Sequence, residues 1–408
     1  MNAAELADPQ LPFALRAANR LGAPLARRLS LEPDALCAAA EKRTGLADFG
    51  SARFREPLAV LARALEQEAR LTALGRVSAR IQLVGLLSTR LRALDLLRRR
   101  PEIEAEAIGA PIVILGMPRT GTTALQRLLS RDPRLRSLPY WEALAPLPDG
   151  DATERGADPA PRIERARRGL RFLHWAAPRM QAMHEMDALE PDEEIWLLAL
   201  DLATMLFEAT WNVPSFRAWY ERADLREGYA FLRRMLQILQ WYRPGERWLL
   251  KSPQHMEQLP VLFETFPGAL VVQTHRDPLE VTASFVSMAC YGRRMNEAHP
   301  DPGAIARYWA GRIEAMLRRS LEGRAGLPPE RFVDVRFADL VADPLAVVRR
   351  IYAAAGLALG ADVEAPMRAW LAANPRGKHG GHSYRLEDFG LDPAERRRAL
   401  AFYGDALK

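Results

Sequence analysis

The sequence predicts an α/β fold: a parallel sheet flanked by helices, with an α-helical N-terminal region. Three observations carry this. Short strand-like runs at 112–115, 248–250, 268–274 and 331–337 alternate with stretches of helical periodicity, as strand–helix–strand units do. Residues 1–108 read as helical throughout. Ala, Leu, Arg and Glu dominate them, and between Glu56 and Arg100 only Pro57, Gly75 and Gly85 interrupt a three- and four-residue apolar repeat. Third, the run at 112–115 leads straight into a glycine-bounded loop and a helix. The chain therefore divides into a helical region, 1–108, and an α/β region, 109–408, with a helical insertion at about 160–243.

In order along the chain, Ser30, Leu31, Glu32 and Pro33 form a helix start, with Pro suited to the first helical position. Residues 112–115 form a buried strand. Gly116 to Thr123 follow, then a helix with Leu125, Leu128 and Leu129 on one side. Such a loop leaves backbone N–H groups unpaired, and the helix end adds about half a positive charge, so the unit suits an anion, most simply a nucleotide phosphate. The ATP-binding pattern is G-x-x-x-x-G-K-[ST]. Gly116, Gly121 and Thr123 match it, but Thr122 stands in place of the lysine and the loop's cation is Arg119. A β/γ-phosphate grip of the ATPase kind is not expected. An ordinary Gly-rich turn is the plainer reading.

Asp132-Pro133 marks a turn, and residues 137–142 read as a second strand with Glu142 at its end. Residues 146–161, rich in Pro, Gly and Asp, read as a loop. Residues 187–194 carry five acids. Pro191 is suited to open a helix, with Asp192, Glu193 and Glu194 complementing its dipole, and a metal site is the sharper alternative. Trp196, Phe207, Trp211, Phe216, Trp219 and Tyr220 would be core or the wall of an apolar pocket. Lys251 stands at the end of the strand 248–250, where open α/β sheets bind ligands. Arg276 ends the strand 268–274 and Ser284 lies on the following helix, a second anion-binding arrangement. The strand 331–337 precedes a helix at 344–355. Residues 376–384, with Arg376, Gly377, Lys378, His379 and His382, form a basic glycine-rich loop before a final amphipathic helix.

Net charge is +6, and the arginine runs read as solvated helix faces. No nucleic-acid-binding motif accompanies them. No apolar run is long enough to span a membrane, and the N-terminus does not read as a secretory signal. Cys37 and Cys290 do not make a disulfide scaffold. A cytoplasmic protein fits best.

The loop GMPRTGTT, followed by LLSRDP, resembles the 5′-phosphosulfate loop of sulfotransferases that use 3′-phosphoadenosine 5′-phosphosulfate (PAPS). Arg276-Asp277-Pro278 with Ser284 is similar to that family's 3′-phosphate motif. Residues 335–340 with Asp343-Pro344 resemble its late strand-and-turn segment, and Leu250-Lys251-Ser252-Pro253 and the segment 382–390 look like its bacterial branch. The main motifs stand in family order over about 111–355. The resemblance implies a P-loop-like sulfotransferase core.

It also implies roles. Arg119, Thr120, Gly121, Thr122 and Thr123 would hold the phosphosulfate, Arg276 and Ser284 the 3′-phosphate, and Phe337 would stack near adenine where relatives often have tyrosine. Arg376, Gly377 and Lys378 resemble, in altered order, a basic segment that closes over the 3′-phosphate. PAPS would be the co-substrate and PAP the product, without a metal. Arg119 and Lys251 would stabilise charge developing in an in-line transfer. Glu142 is the first choice of base, by resemblance to protein-tyrosine and heparan-type sulfotransferases, and His184 the second. His255 reads equally as a capping or packing residue, and His379 and His382 as loop contacts. The aromatic, Met-rich helices suit an apolar alcohol, phenol or lipid as small-molecule acceptor, with a carbohydrate or carrier-bound group left open. The competing readings are a P-loop kinase or NTPase using Mg-ATP, and a non-catalytic nucleotide-binding scaffold.

Overall fold

Among the described residues five strands run parallel: β1 (Ile112–Gly116), β2 (Leu135–Ser137), β3 (Arg247–Lys251), β4 (Leu270–His275) and β5 (Phe332–Arg336). A computed structural model describes residues 11–375 and 385–406. Arg376, Gly377, Lys378, His379 and His382 lie outside the described residues.

The sheet order is β2-β3-β1-β4-β5. From β1 the chain moves to one side of the sheet; from β4 it moves to the other. The crevice at the carboxyl ends of β1 and β4 is thus the point where connections diverge, the usual ligand position in such sheets. Register holds the two ends level: Gly116 faces Thr274 and Ile112 faces Leu270.

β1 is buried along its whole length, and its side chains alternate between two cores. Ile112 and Ile114 pack with Leu249, Val272, Leu125, Leu128 and Ile351. Val113 and Leu115 join a larger cluster that also holds Leu83, Leu87 and Leu91 of the helix Ala73–Arg99. Each such aliphatic side chain contributes about 1.5–3 kcal/mol on burial, so the strand that launches the loop is firmly held. Among the described residues no helix is long and apolar enough to cross a membrane.

Two local expectations are corrected. The second strand is only Leu135–Ser137, and Tyr140–Leu144 is a short helix with Glu142 inside it. Pro139 is the reason: it has no N–H for a ladder and its φ of −64° suits a helix entry. Nor does Pro191 open a helix. Residues 190–192 stay extended against 138–140, with Tyr140 N–H donating to the Glu190 carbonyl at 3.0 Å and Asp192 N–H to the Leu138 carbonyl at 2.7 Å. The helix begins at Ile195. Of the aromatic group, Phe207, Trp211, Phe216 and Tyr220 are core, with the Phe207 ring 5.7 Å from Trp211 and 5.5 Å from Phe216; Trp196 and Trp219 are half-buried.

Candidate active site

The loop after β1 is built by close backbone approach. A side chain at Gly116 would collide with the Thr274 hydroxyl on β4. Gly121 has φ +91°, and a Cβ there would meet Leu340 at 2.8 Å and the Phe337 ring at 3.3 Å, so both glycines are required by space. Arg119 also has a left-handed φ, of +74°. Thr120 Oγ1 donates to the Met117 carbonyl at 2.6 Å and pairs with Thr274 Oγ1 at 2.5 Å, tying the loop to the next strand. The helix Thr122–Leu129 starts immediately after, so its first N–H groups face the loop's concavity.

Arg119 and the β4 end make one basic rim. Arg119 Nε donates to Ser284 Oγ at 3.2 Å and its Nη1 to the Met183 carbonyl at 2.8 Å. Arg276 Nη1 donates to the Arg119 carbonyl at 3.0 Å, and its guanidinium lies 4.3 Å over the Phe337 ring, a cation–π contact. Glu280 pairs with Arg276 at 2.7 Å. Beside Arg276 and Phe337 opens a cavity of about 630 Å³, also lined by Leu279, Arg397 and Tyr403.

The other rim is set by β3. Lys251 is buried, and its Nζ lies 2.7 Å from Glu193 Oε1 and 3.4 Å from Thr123 Oγ1. Glu194, fully buried, accepts from the Lys251 N–H at 2.9 Å and from His255 Nε2 at 2.5 Å. His255 Nδ1 meets the Tyr229 hydroxyl at 2.7 Å. Burial pushes the Tyr229 pKa far up, so this phenol stays protonated and donates, leaving Nε2–H for the carboxylate. Burial likewise raises the Glu193 carboxyl above the ordinary glutamate range, while Lys251 pulls it back. His184 is pushed down to about 4, first by desolvation and further by Lys251, Arg119 and Arg127, against Asp192; it is neutral at pH 7.

Residues 111–361 match the model of the Sulfotransferase family. The chain belongs to the sulfotransferase family. Among solved structures it is similar to sulfotransferase STF9 from Mycobacterium avium, with TM-score 0.83, 29% identity, and 93% of this chain and 97% of that one covered. It is also similar to sulfotransferase STF1 from Mycobacterium tuberculosis H37Rv, with TM-score 0.77, 35% identity, and coverage of 90% and 98%. The omega-hydroxy-beta-dihydromenaquinone-9 sulfotransferase Stf3 of Mycobacterium bovis is 28% identical over 265 residues, 60% of this chain. The chain spans 63% of the length of that curated relative. A protein of this family uses a sulfate donor.

In this sulfotransferase-family chain the described candidates fall into two groups. Arg119, Thr120, Gly121, Thr122, Thr123, Arg276, Ser284 and Phe337 converge at the ends of β1, β4 and β5. Lys251 reaches Thr123 from β3, and His184 follows directly on Met183, to whose carbonyl Arg119 is bonded. Glu142 sits apart. It is buried, with Arg136 Nη1 and Nη2 at 3.0 and 3.1 Å from its two oxygens and Arg243 Nη2 at 3.0 Å; among the described residues its side-chain hydrogen bonds reach neither the loop nor Lys251. Arg136 in turn stacks over Trp248 at 4.3 Å. In sequence, Glu193 and Glu194 read as charges complementing a helix end, with a metal site as the alternative; the fold instead sets them against Lys251. The available signal was two adjacent carboxylates with a lone buried-strand lysine elsewhere in the chain, and that pairing is invisible without the fold.

Proposed function

We propose that this chain transfers a sulfuryl group from PAPS to the hydroxyl of an apolar, lipid-like acceptor and releases PAP. The observation that carries the reading is Lys251 Nζ set between Glu193, at 2.7 Å, and Thr123 of the loop, at 3.4 Å. A base and a cation thus stand at the mouth of an anion cradle. The fit to the donor rests on the chain's own groups. Loop N–H groups and Thr122–Thr123 would hold the phosphosulfate. Arg276 and Ser284 would hold the 3′-phosphate, and Phe337 with the adjoining cavity would take the nucleoside.

When bound, the donor supplies a sulfuryl group whose bond to the phosphate oxygen breaks as the acceptor oxygen bonds to sulfur. Glu193 takes the acceptor's proton. Its raised pKa makes it a better base at neutral pH, and Lys251 keeps it ionised. Glu142 is less suited, since both its oxygens are held by arginines in a buried pair. His184 is the second candidate because it is neutral at pH 7 and adjoins Met183, the partner of Arg119. Arg119 and Lys251 stabilise the charge that gathers on the transferring and leaving oxygens. Glu194, His255 and Tyr229 act through Lys251 by fixing its backbone.

The acceptor reading draws on the helical segment 160–243, which brings buried Met183 to Arg119, and on the hydroxylated menaquinone in the name of the Mycobacterium bovis relative. Cys37 and Cys290 are buried and free, which suits a reducing compartment such as the cytoplasm. Thermal-shift titration tests the donor: PAP should stabilise the chain at micromolar level without Mg²⁺, whereas a preference for Mg-ATP overturns the reading in favour of a kinase or NTPase. Transfer of labelled sulfate to a long-chain alcohol tests the acceptor, and nucleotide binding without transfer to any alcohol would favour a scaffold.

A further inference from the structure

The helix Ala160–Ala176 presents a surface that the transfer reaction does not use. Phe172 and Trp175 are 51% and 48% exposed, with ring centroids 5.8 Å apart. Single exposed apolar residues are ordinary; a paired aromatic patch within a cationic frame is not. Helical spacing places Arg165, Arg168 and Arg171, all exposed, on the same side as the aromatics, and Arg167 borders them. The helix carries five arginines against the single acid Glu164. Arg165 and Arg171 pair with Asp149 and Glu164. The opposite side is committed to the interior: Ala166 and Leu170 pack with Trp141 and Ala188. Phe172 and Trp175 therefore lie outside that satellite core, on a face with net positive charge.

The same arm leads to the site. After Ala176 the chain turns through Ala177 into the helix Met180–Met183, whose last carbonyl accepts from Arg119. A surface-lying helix with aromatics on its outer face and arginines around them is the arrangement that binds the headgroup boundary of an anionic bilayer: rings enter the interface and guanidinium groups meet lipid phosphates.

We propose that the 160–183 arm docks this chain on an anionic lipid surface, with Phe172 and Trp175 inserted at the headgroup level and the lipid-borne hydroxyl passed toward Arg119. The handover rests on the acceptor reading above; the docking does not.

The test is flotation of the full chain with acceptor-free vesicles, either phosphatidylcholine alone or with about one-third phosphatidylglycerol. The chain should float with the anionic vesicles and not with the neutral ones. Phe172→Ser/Trp175→Ser and Arg167→Glu/Arg168→Glu should each cut the bound fraction about tenfold, while the thermal shift with PAP stays unchanged and shows that the variants are folded. Equal flotation with both vesicle types, or undiminished flotation of both variants, overturns docking. So does an aromatic variant that changes only the oligomeric state, which would assign the face to a second copy. A chain that floats but sulfates only water-soluble alcohols keeps the docking surface and overturns the acceptor reading alone.

Discussion

Glu193 and Lys251 stand 58 positions apart in the chain and 2.7 Å apart in the fold. The pair joins an extended segment, held by 138–140, to the carboxyl end of β3, beside the loop that carries Arg119. A half-buried carboxylate with a buried ammonium at its side is equipped to accept a proton and to remain charged until it does so.

Glu193→Gln should keep PAP affinity and lower turnover by about 10²–10⁴. Because burial raises the Glu193 pKa and the base must be ionised, the acid limb of the wild-type rate should lie above the pH of an ordinary glutamate. Steady-state rates across pH check both. If Glu193→Gln retains full turnover while His184→Asn does not, His184 is the base.

Glu142→Ala should act on stability. It would strand Arg136, which is buried and already has its pKa lowered by desolvation. Removing one partner of a buried pair costs about 3–5 kcal/mol, which denaturant unfolding would read. An unchanged midpoint with lost turnover would instead return Glu142 to the chemistry.

Arg276→Ala should weaken PAP binding by about 1.5–3 kcal/mol, the scale of a charge-assisted hydrogen bond. Isothermal titration measures it, with Glu280→Gln as the contrast. Releasing Arg276 from its carboxylate partner should leave PAP affinity equal or stronger.

Gly121→Ala should cost about 1–3 kcal/mol, since φ is +91° and the new methyl meets Leu340 at 2.8 Å. PAP binding should fall with it, because the loop would have to move away from Phe337. A melting temperature and a PAP titration on one sample settle both.

His184 sets a pH dependence of stability. Its pKa falls from an unfolded value near 6.5 to about 4 in the fold, so between those values the unfolded chain binds the extra proton. The stabilisation is complete above about pH 6.5 and is lost as pH falls toward 4. The difference in melting temperature between wild type and His184→Asn should therefore shrink from about pH 7 to about pH 4.5. A constant difference would show that His184 titrates normally.

Much of this was legible in the residues. The strand at 112–115, the glycines at 116 and 121 and the helix carrying Leu125, Leu128 and Leu129 are local patterns, each set by neighbours within a few positions, and they stand in the fold, with the helix starting at Thr122 rather than after Thr123. Glu142 was misplaced because Tyr140 and Trp141 favour strands by composition, whereas Pro139 ends the ladder and turns the chain into a helix. Glu193 reads as a helix-end charge because acids ahead of Ile-Trp-Leu-Leu match a helix start equally well; the pairing of 190–192 with 138–140 delays the helix to Ile195 and brings the two glutamates to Lys251 on β3.

The sequence by itself determined the strand, the glycine-bounded loop without the ATP-type lysine, and the family resemblance, since these are read from contiguous residues whose backbone geometry they dictate. Only the tertiary structure decided which carboxylate meets Lys251, which is locked against Arg136, and which aromatics lie outside the core. The Glu193–Lys251 contact spans 58 positions and the Arg243–Glu142 contact 101, and even Arg136, six positions from Glu142, meets it only because the chain turns at Pro139; desolvation and Coulomb attraction, rather than local propensity, choose the partner.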